Sequence, residues 1–210
     1  MELFTYFRSS AAYRVRIALN LKGIEHRLTP VNLLTGEQQG AAYRALNPQG
    51  LLPALKLDSG ELLTQSTAIL EYLEAVYPQT PLLPADAIAA AQVRAWANLI
   101  ACDIHPVDNL RVLKYLKGTL NISEDEKTAW YLHWITEGFD VLETQLKAAP
   151  YCNGAEVSLA DLYLIPQVYN ALRFKLDLST YPKIKSIWDA CNRLPAFDAA
   201  RPENQPDSTL

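Results

Sequence analysis

With 210 residues, half of them apolar, the chain is long enough to build one large folded domain or two small ones. Its formal net charge of -4, without a long basic run, argues against nucleic acid as a partner. No apolar stretch approaches the roughly 20 residues that cross a bilayer, and the N-terminus lacks a charged leader followed by an apolar run. We therefore expect a globular protein that binds neither nucleic acid nor membrane.

Up to about residue 77 the sequence alternates between strand and helix patterns. Short apolar runs bounded by turn residues indicate strands, whereas apolar residues three and four apart indicate helices. Ser9 or Ser10 is placed to cap the first helix, and Gly23 suits its left-handed end. In chain order the pattern predicts a strand at 2–7, a helix up to Gly23, a strand at 26–33, a short helix at 40–47, a hairpin at 53–65 and a helix at 66–77. This order is βαβαββα.

Residues 78–87 carry three prolines and end the alternation, because proline interrupts both helices and strands. Everything that follows has a helical pattern, beginning with a long segment over about 87–117 in which Pro106 predicts a kink. We therefore expect an α/β domain over residues 1–78, a linker over 79–87 and an all-helical domain over 88–210.

Two capping boxes mark helix starts in the second half of the chain. Ser123 and Glu126 open a helix that runs to about residue 148, and Ser158 and Asp161 open another. The second helix is too apolar for a surface position, so it should form the centre of the helical domain. An amphipathic helix follows at 181–194, and the tail at 201–210 is expected to be loosely ordered.

The cysteines are Cys102, Cys152 and Cys191, an odd number at wide spacing. Without a C-x-x-C pair, neither a structural zinc site nor a dithiol centre is expected, and we predict no bound metal. All three lie in apolar sequence surroundings and are expected to be buried and unreactive. This usage favours a reducing, cytoplasmic location.

Two serines stand where the first strand gives way to the first helix, in the stretch FRSSAAYR. A helix N-terminus presents free N–H groups and a partial positive charge, so it suits an anion. A thiolate placed there is stabilised, and thiol pKa values fall from about 8.5 into the range of roughly 3.5–7.5. Since Ala11 and Ala12 follow the serines, a thiolate at this site would have to belong to a ligand. The simpler alternative is that Ser9 and Ser10 only cap the helix.

The stretches SSAAYRVRIAL, NPQGLLPAL, TQSTAILEYLE and SLADLYLIPQV resemble those of the soluble glutathione transferases, and within them the zeta class. The resemblance covers nearly the whole chain and implies a thioredoxin-like N-terminal domain, a helical-bundle C-terminal domain, glutathione as cofactor and usually a homodimer. One position differs from the zeta-class pattern, because Ala11 stands where many zeta members have cysteine. This argues against thiol exchange on a protein cysteine and leaves chemistry on bound glutathione unaffected.

The resemblance also implies which residues bind glutathione. Ser9 and Ser10 are equal candidates for the contact to the thiolate. A cis bond between Leu52 and Pro53 would expose the Leu52 backbone to the cysteinyl part. The remaining expected contacts are Gln65 and Ser66 at the γ-glutamyl end, Gln38 at the glycyl end, and His105, Asn109, Leu110 and Arg111 beside glutathione or substrate. A solvated loop for Gln38 and a helix cap or buried structural role for His105 are the alternatives.

Four arginines have distinct expected roles. Arg8 should stand beside the sulfur, and Arg173 matches a zeta-class arginine that binds the substrate carboxylate. Either could instead belong to a structural ion pair. Arg14 should support the geometry of the site, whereas Arg16 is expected at the surface.

The activity implied by the resemblance is the isomerisation of maleylacetoacetate to fumarylacetoacetate, a step of tyrosine and phenylalanine breakdown. Glutathione thiolate adds to the cis alkene, the former double bond rotates, and expulsion of the thiolate restores a trans alkene. Maleylpyruvate is an alternative substrate, and conjugation of glutathione to α-halo acids is an alternative reaction. A non-enzymatic binding module is disfavoured because Gln65, Ser66 and both N-terminal serines are present.

Overall fold

The structure is a computed structural model, and it describes residues 1–209. Contacts divide the chain into two units, one of Met1–Pro81 with the chain from Asn192 onward and one of Leu82–Cys191. The first boundary lies within the expected linker at 79–87. The C-terminal segment differs from the expected division, since it packs with the first unit rather than with the helices of the second.

The first unit has the predicted βαβαββα order. Its elements are β1 (Glu2–Thr5), α1 (Ser10–Leu21), β2 (Arg27–Pro30), α2 (Ala41–Leu46), β3 (Ala54–Lys56), β4 (Leu62–Thr64) and α3 (Ser66–Val76), with a 3-10 turn at Glu37–Gln39 before α2. The strands form one sheet in the order β2-β1-β3-β4. The β1–β2 pair is parallel and the other pairs are antiparallel, with Leu3 opposite Leu28 and Leu55.

Alternation along β1 sets the core of this unit. Leu3 is fully buried, while the neighbouring Phe4 points to the other face and packs with Val31, Tyr43 and Ala54. The helix α1 ends as predicted at a left-handed glycine, because Gly23 has a φ of 63°.

The second unit is helical. It contains α4 (Ala87–Asn98), a π-helical turn (Leu99–Ile104), α5 (His105–Asp108), α6 (Leu110–Gly118), α7 (Glu124–Gln145), α8 (Leu159–Arg173), a 3-10 turn (Leu178–Thr180) and α9 (Pro182–Cys191). The helix α8 packs against α4 and α9 and is buried along most of its length, as its composition predicts. Among the described residues, no helix has the length and apolarity to cross a membrane.

The segment predicted as one kinked helix is interrupted twice. A π-helical turn precedes Pro106, which lacks the N–H that a continuous α-helical ladder needs. Asn109 then adopts an extended backbone, with a φ of -64° and a ψ of 145°, and ends α5 before α6 begins. The helix α7 stops at Gln145, a few residues before the expected end near 148.

Both predicted capping boxes are confirmed. The N–H of Glu126 donates to Ser123 Oγ at 3.1 Å, and the N–H of Ser123 donates back to Glu126 Oε2 at 2.7 Å. At the start of α8 the fully buried Asp161 accepts the N–H and the hydroxyl of Ser158, both at 2.8 Å, and the N–H of Cys152 at 2.9 Å.

Up to residue 209 the C-terminal segment is ordered, so the expectation of a loose tail is wrong there, and Leu210 lies outside the described residues. The segment contains α10 (Pro195–Ala200), which packs against α1, and Asn20 Nδ2 donates to the Ala196 carbonyl at 3.0 Å. Gln205 is buried, and its Nε2 donates to the carbonyls of Ala199 and Arg201 at 2.9 and 2.8 Å. These internal bonds fix the tail, which its polar and proline-rich composition alone does not indicate.

Candidate active site

Ser9 is the N-cap of α1. Its Oγ accepts the N–H of Ala12 at 3.2 Å, so the capping role is confirmed. Within residues 1–209 its hydroxyl proton has no acceptor, which leaves this donor available to a ligand. Ser9 is half-buried, whereas Ser10 opens the helix and is 7% exposed. Ala11 and Ala12 are buried beside them, so the start of α1 carries hydroxyls and amides but no thiol.

Arg8 stands directly before this helix start. Its Nη2 donates to the Tyr6 hydroxyl at 3.2 Å, and its guanidinium carbon lies 4.9 Å from the centre of the Phe7 ring. No carboxylate pairs with Arg8 in the described part of the chain. The structure therefore gives no support to a structural ion pair, and the positive charge beside the serines is not neutralised.

Ser66 is the first residue of α3 and is 7% exposed. The buried Arg14 donates from Nη1 to Ser66 Oγ at 3.3 Å, which ties the start of α3 to α1. Before Ser66, Gln65 has a φ of 68° and a ψ of 117°, a conformation that costs a non-glycine residue about 1–3 kcal/mol. The Gln65 side chain is exposed and donates from Nε2 to Gln49 Oε1 at 2.9 Å. Strain of this kind clusters at binding sites.

The bond between Leu52 and Pro53 is cis, as the resemblance implied. Leu52 lies just before β3 and packs its side chain against the cluster of Phe4, Val31, Tyr43 and Ala54. Its backbone N–H and C=O have no hydrogen-bond partner between Met1 and Thr209. These two groups are therefore available to an extended ligand.

Gln38 lies in the 3-10 turn before α2 and is 7% exposed, so the alternative of a solvated loop residue is wrong. Its Oε1 has no hydrogen-bond partner among the described residues. Because buried polar atoms in folded proteins are nearly always paired, an unpaired amide oxygen indicates a place for a ligand or water.

The second unit holds the other predicted contacts. His105 is half-buried at the start of α5. Asn109 caps α6, because its Oδ1 accepts the N–H of Arg111 at 3.1 Å. The side chains of Leu110 and Arg111 are exposed, and the Arg111 guanidinium has no ion-pair partner within residues 1–209.

Arg173 ends α8 and is exposed, without a carboxylate partner among the described residues. Its positive charge acts on the pKa of Tyr131, whose ring stacks on Phe174 with centroids 3.8 Å apart. Burial is the main cause that raises the pKa of Tyr131, Asp108 raises it further, and Arg173 opposes both. An exposed guanidinium without an ion pair is suited to a carboxylate ligand.

Sequence reasoning missed Asp108, the last residue of α5. Its side chain is 6% exposed, and neither carboxylate oxygen has a hydrogen-bond partner in the described residues. Burial raises the pKa of Asp108 from 3.8 to about 8, so the group carries its proton at neutral pH. No local signal marks it, because an acidic residue between two helices ordinarily faces water.

Two expectations about individual residues are wrong. Arg16 is not at the surface but 1% exposed, and burial lowers its pKa to about 10. Cys102 is exposed, because its position on the π-helical turn faces away from the core. Cys152 and Cys191 are buried as expected, and burial raises the pKa of both thiols.

Comparison with known proteins gives consistent matches. A family model described as the glutathione S-transferase N-terminal domain matches residues 8–76, and one described as the C-terminal domain of the same family matches residues 132–195. A probable maleylacetoacetate isomerase from Vibrio cholerae is 49% identical over 98% of this chain and 97% of that protein.

Two solved structures superpose over the full length of both chains. One is a holo structure of maleylpyruvate isomerase, described as a bacterial glutathione S-transferase of the zeta class, with a TM-score of 0.96 and 46% identity. The other is a maleylacetoacetate isomerase from Methylobacterium extorquens AM1 with bound malonate and glutathione, with a TM-score of 0.96 and 37% identity. The predicted α/β plus all-α fold is thereby confirmed.

Proposed function

Because the chain belongs to the zeta class of the glutathione S-transferase family, we propose that it isomerises maleylacetoacetate to fumarylacetoacetate with glutathione as its cofactor. The proposal rests above all on the start of α1, where Ser9 presents an unused hydroxyl donor and the chain offers no thiol of its own. Such a site stabilises a thiolate that must be brought by a ligand.

The residues of the first unit fit glutathione. Gln38 has a buried amide oxygen without a partner, which suits the glycyl end. Leu52 offers an unpaired backbone N–H and C=O for the peptide part, and Ser66 lies at the start of α3, where Gln65 is strained, for the γ-glutamyl carboxylate. When bound, glutathione supplies a thiolate that can add reversibly to an activated alkene carbon.

At the sulfur position the protein supplies charge and hydrogen bonds. We assign the donor role to Ser9, because capping uses only a lone pair of its oxygen and leaves the proton free to be donated. Ser10 lies at the first position of the helix, where the dipole of α1 favours negative charge. The unneutralised Arg8 adds a full positive charge next to the same helix start.

Carboxylate recognition is assigned to the second unit. Arg173 is exposed and lacks an ion pair, and a guanidinium binds a carboxylate through two parallel hydrogen bonds. Arg111 offers a second cation of the same kind. We keep His105, Asn109 and Leu110 as contacts to glutathione or substrate; in Asn109 only the oxygen is used for capping, so its amide N–H groups can still donate.

Maleylpyruvate is the second candidate substrate, because a maleylpyruvate isomerase superposes on the whole chain with a TM-score of 0.96. It differs from maleylacetoacetate in the length of the ketoacid arm, and the same chain residues would serve both. Transfer of glutathione to α-halo acids is a further activity of this site, consistent with the zeta class.

We also propose a homodimer in a reducing, cytoplasmic location. Three free cysteines, one of them exposed, suit a reducing compartment. Light scattering coupled to size-exclusion chromatography tests the dimer directly: a mass near one chain would contradict it.

The decisive experiment compares rates on maleylacetoacetate and maleylpyruvate, each with and without glutathione. We expect turnover of both to require glutathione, with maleylacetoacetate preferred. An undiminished rate without the tripeptide would exclude the thiolate mechanism. Absence of turnover, together with retention on immobilised glutathione, would favour a binding module instead.

A further inference from the structure

The loop that carries the serines is a tight turn. The N–H of Ser9 donates to the Tyr6 carbonyl at 2.9 Å, so Tyr6–Ser9 forms a β-turn between β1 and α1. This turn sets the position and direction of Ser9 and of the first amides of the helix. The geometry of the turn therefore depends on residues outside it that bind its backbone.

Arg16 holds the turn from the inside of the unit. From its buried position on α1, Nη2 donates to the Phe7 carbonyl at 3.0 Å and Nη1 to the Tyr6 carbonyl at 3.4 Å. The same guanidinium donates to Thr5 Oγ1 and to the Ala200 carbonyl, both at 3.0 Å. One side chain thus joins β1, the turn and the C-terminal segment.

Asp207 holds the turn from the C-terminal tail. Its Oδ2 accepts the N–H of Phe7 at 3.0 Å, so the N–H and the C=O of this one residue are bound by Asp207 and Arg16 respectively. The two charges also act on each other, because Asp207 raises the pKa of Arg16 against the effect of burial. Gln205, bonded to two carbonyls of the same segment, keeps the tail in place.

We propose that Asp207 and Arg16 are positioning residues of the thiolate site, which hold the Tyr6–Ser9 turn so that Ser9 and the first amides of α1 meet the sulfur. We call Arg16, Ala200 and Asp207 the C-terminal clamp. The effect on catalysis rests on the proposed function, whereas the role of these residues in holding the turn rests on the hydrogen bonds alone. Displacements of about 1 Å at such sites reduce catalysis strongly, so a clamp of this kind matters for rate as well as for stability.

Asp207→Ala tests the clamp, with two companion variants. Asp207→Asn keeps an acceptor oxygen for the Phe7 N–H while it removes the charge. Glu203→Ala is the matched control, because it removes an exposed acid from the same segment, where Glu203 Oε2 lies 3.7 Å from Arg201 Nε. All variants are made in the full chain, and circular dichroism checks that they fold.

The first readout is amide hydrogen exchange of the peptide that covers residues 6–13, without any ligand. We expect this peptide to exchange about tenfold faster in Asp207→Ala, because a buried N–H loses its acceptor. Asp207→Asn should restore most of the protection, and Glu203→Ala should leave it unchanged. Unchanged exchange in Asp207→Ala, or no rescue by asparagine, would overturn the clamp whether or not the protein is an isomerase.

The second readout is the pH dependence of the bound thiol, followed by thiolate absorbance, and of kcat. We expect Asp207→Ala to raise the pKa of the bound glutathione thiol by about one unit. At pH values below that pKa, kcat should then be about tenfold lower than in the wild type, and at high pH the two should be equal. KM for the carboxylate substrate should stay within about twofold. A lower melting temperature with unshifted pH profiles would reduce Asp207 to a stabilising residue and contradict the positioning role. If the wild-type protein binds no glutathione, the proposed function fails, and hydrogen exchange alone decides the clamp.

Discussion

Arg14 donates from Nη1 to Oγ of Ser66 at 3.3 Å, and both side chains are buried. The contact joins α1, whose start is assigned to the sulfur, to α3, whose start is assigned to the γ-glutamyl carboxylate. This hydrogen bond therefore links the two helices whose N-termini the proposed glutathione site uses. This is the supporting role expected for Arg14.

Ser66→Ala should weaken glutathione binding. The change removes the hydroxyl at the start of α3 and the acceptor of Arg14, and a hydrogen bond to a charged group is worth about 1.5–3 kcal/mol. We expect the Kd to rise about tenfold or more in calorimetric titration. Ser59→Ala, which removes an exposed hydroxyl in the β3–β4 hairpin, should leave the Kd unchanged. Equal affinities for all three proteins would exclude Ser66 from the site.

Arg173→Ala should harm turnover of carboxylate substrates more than glutathione affinity. Loss of a bidentate contact predicts a fall in kcat/KM of about a hundredfold, while the Kd of glutathione should change less than about twofold. The kcat/KM of Arg173→Lys should lie between those of the wild type and Arg173→Ala, because an ammonium keeps the charge but not the paired hydrogen bonds. Lys114→Ala, which removes an exposed cation from α6, is the control. Equal losses in turnover and in glutathione affinity would argue against this role for Arg173.

Asp108→Asn should stabilise the protein at neutral and alkaline pH. The folded pKa of about 8 lies above the ordinary value of 3.8, so between these values the folded chain holds a proton that the unfolded chain releases. Stability of the wild type therefore falls as pH rises through this window, whereas asparagine does not titrate. We expect urea unfolding to show the variant more stable by about 5 kcal/mol at pH 8, as a pKa shift of about four units implies, and equal to wild type near pH 4. Parallel pH profiles for the two proteins would show that Asp108 titrates normally.

The three cysteines should differ sharply in reactivity. Cys102 is exposed, whereas Cys152 and Cys191 are fully buried and burial raises the pKa of both. An aromatic disulfide reagent should therefore titrate one thiol rapidly in the native protein and all three after unfolding. In Cys102→Ser the rapid phase should disappear. Rapid reaction of two or more native thiols would contradict the burial of the other pair.

Local chemistry made much of the fold predictable. The N-cap at Ser9, the left-handed Gly23 and the capping boxes opened by Ser123 and Ser158 all depend on residues within a few positions of one another. Turn residues and apolar spacing likewise predicted the βαβαββα order and the helical second half. The candidate glutathione residues followed from the resemblance of short motifs, and the structure adds the unused polar groups of Ser9, Leu52 and Gln38.

Long-range pairing decided the rest. Arg16 donates to the carbonyl of Ala200, 184 positions away, and the N–H of Phe7 donates to Asp207, 200 positions away. No local sequence pattern could therefore show that Arg16 is buried or that the tail is ordered. Asp108 is unusual only because its surroundings exclude water and offer it no partner. The sequence by itself determined where helices and strands begin, because caps and turns act over three or four residues. Only the tertiary structure decided which charges are buried and what holds the serine turn, because solvent exclusion depends on segments far apart in the chain.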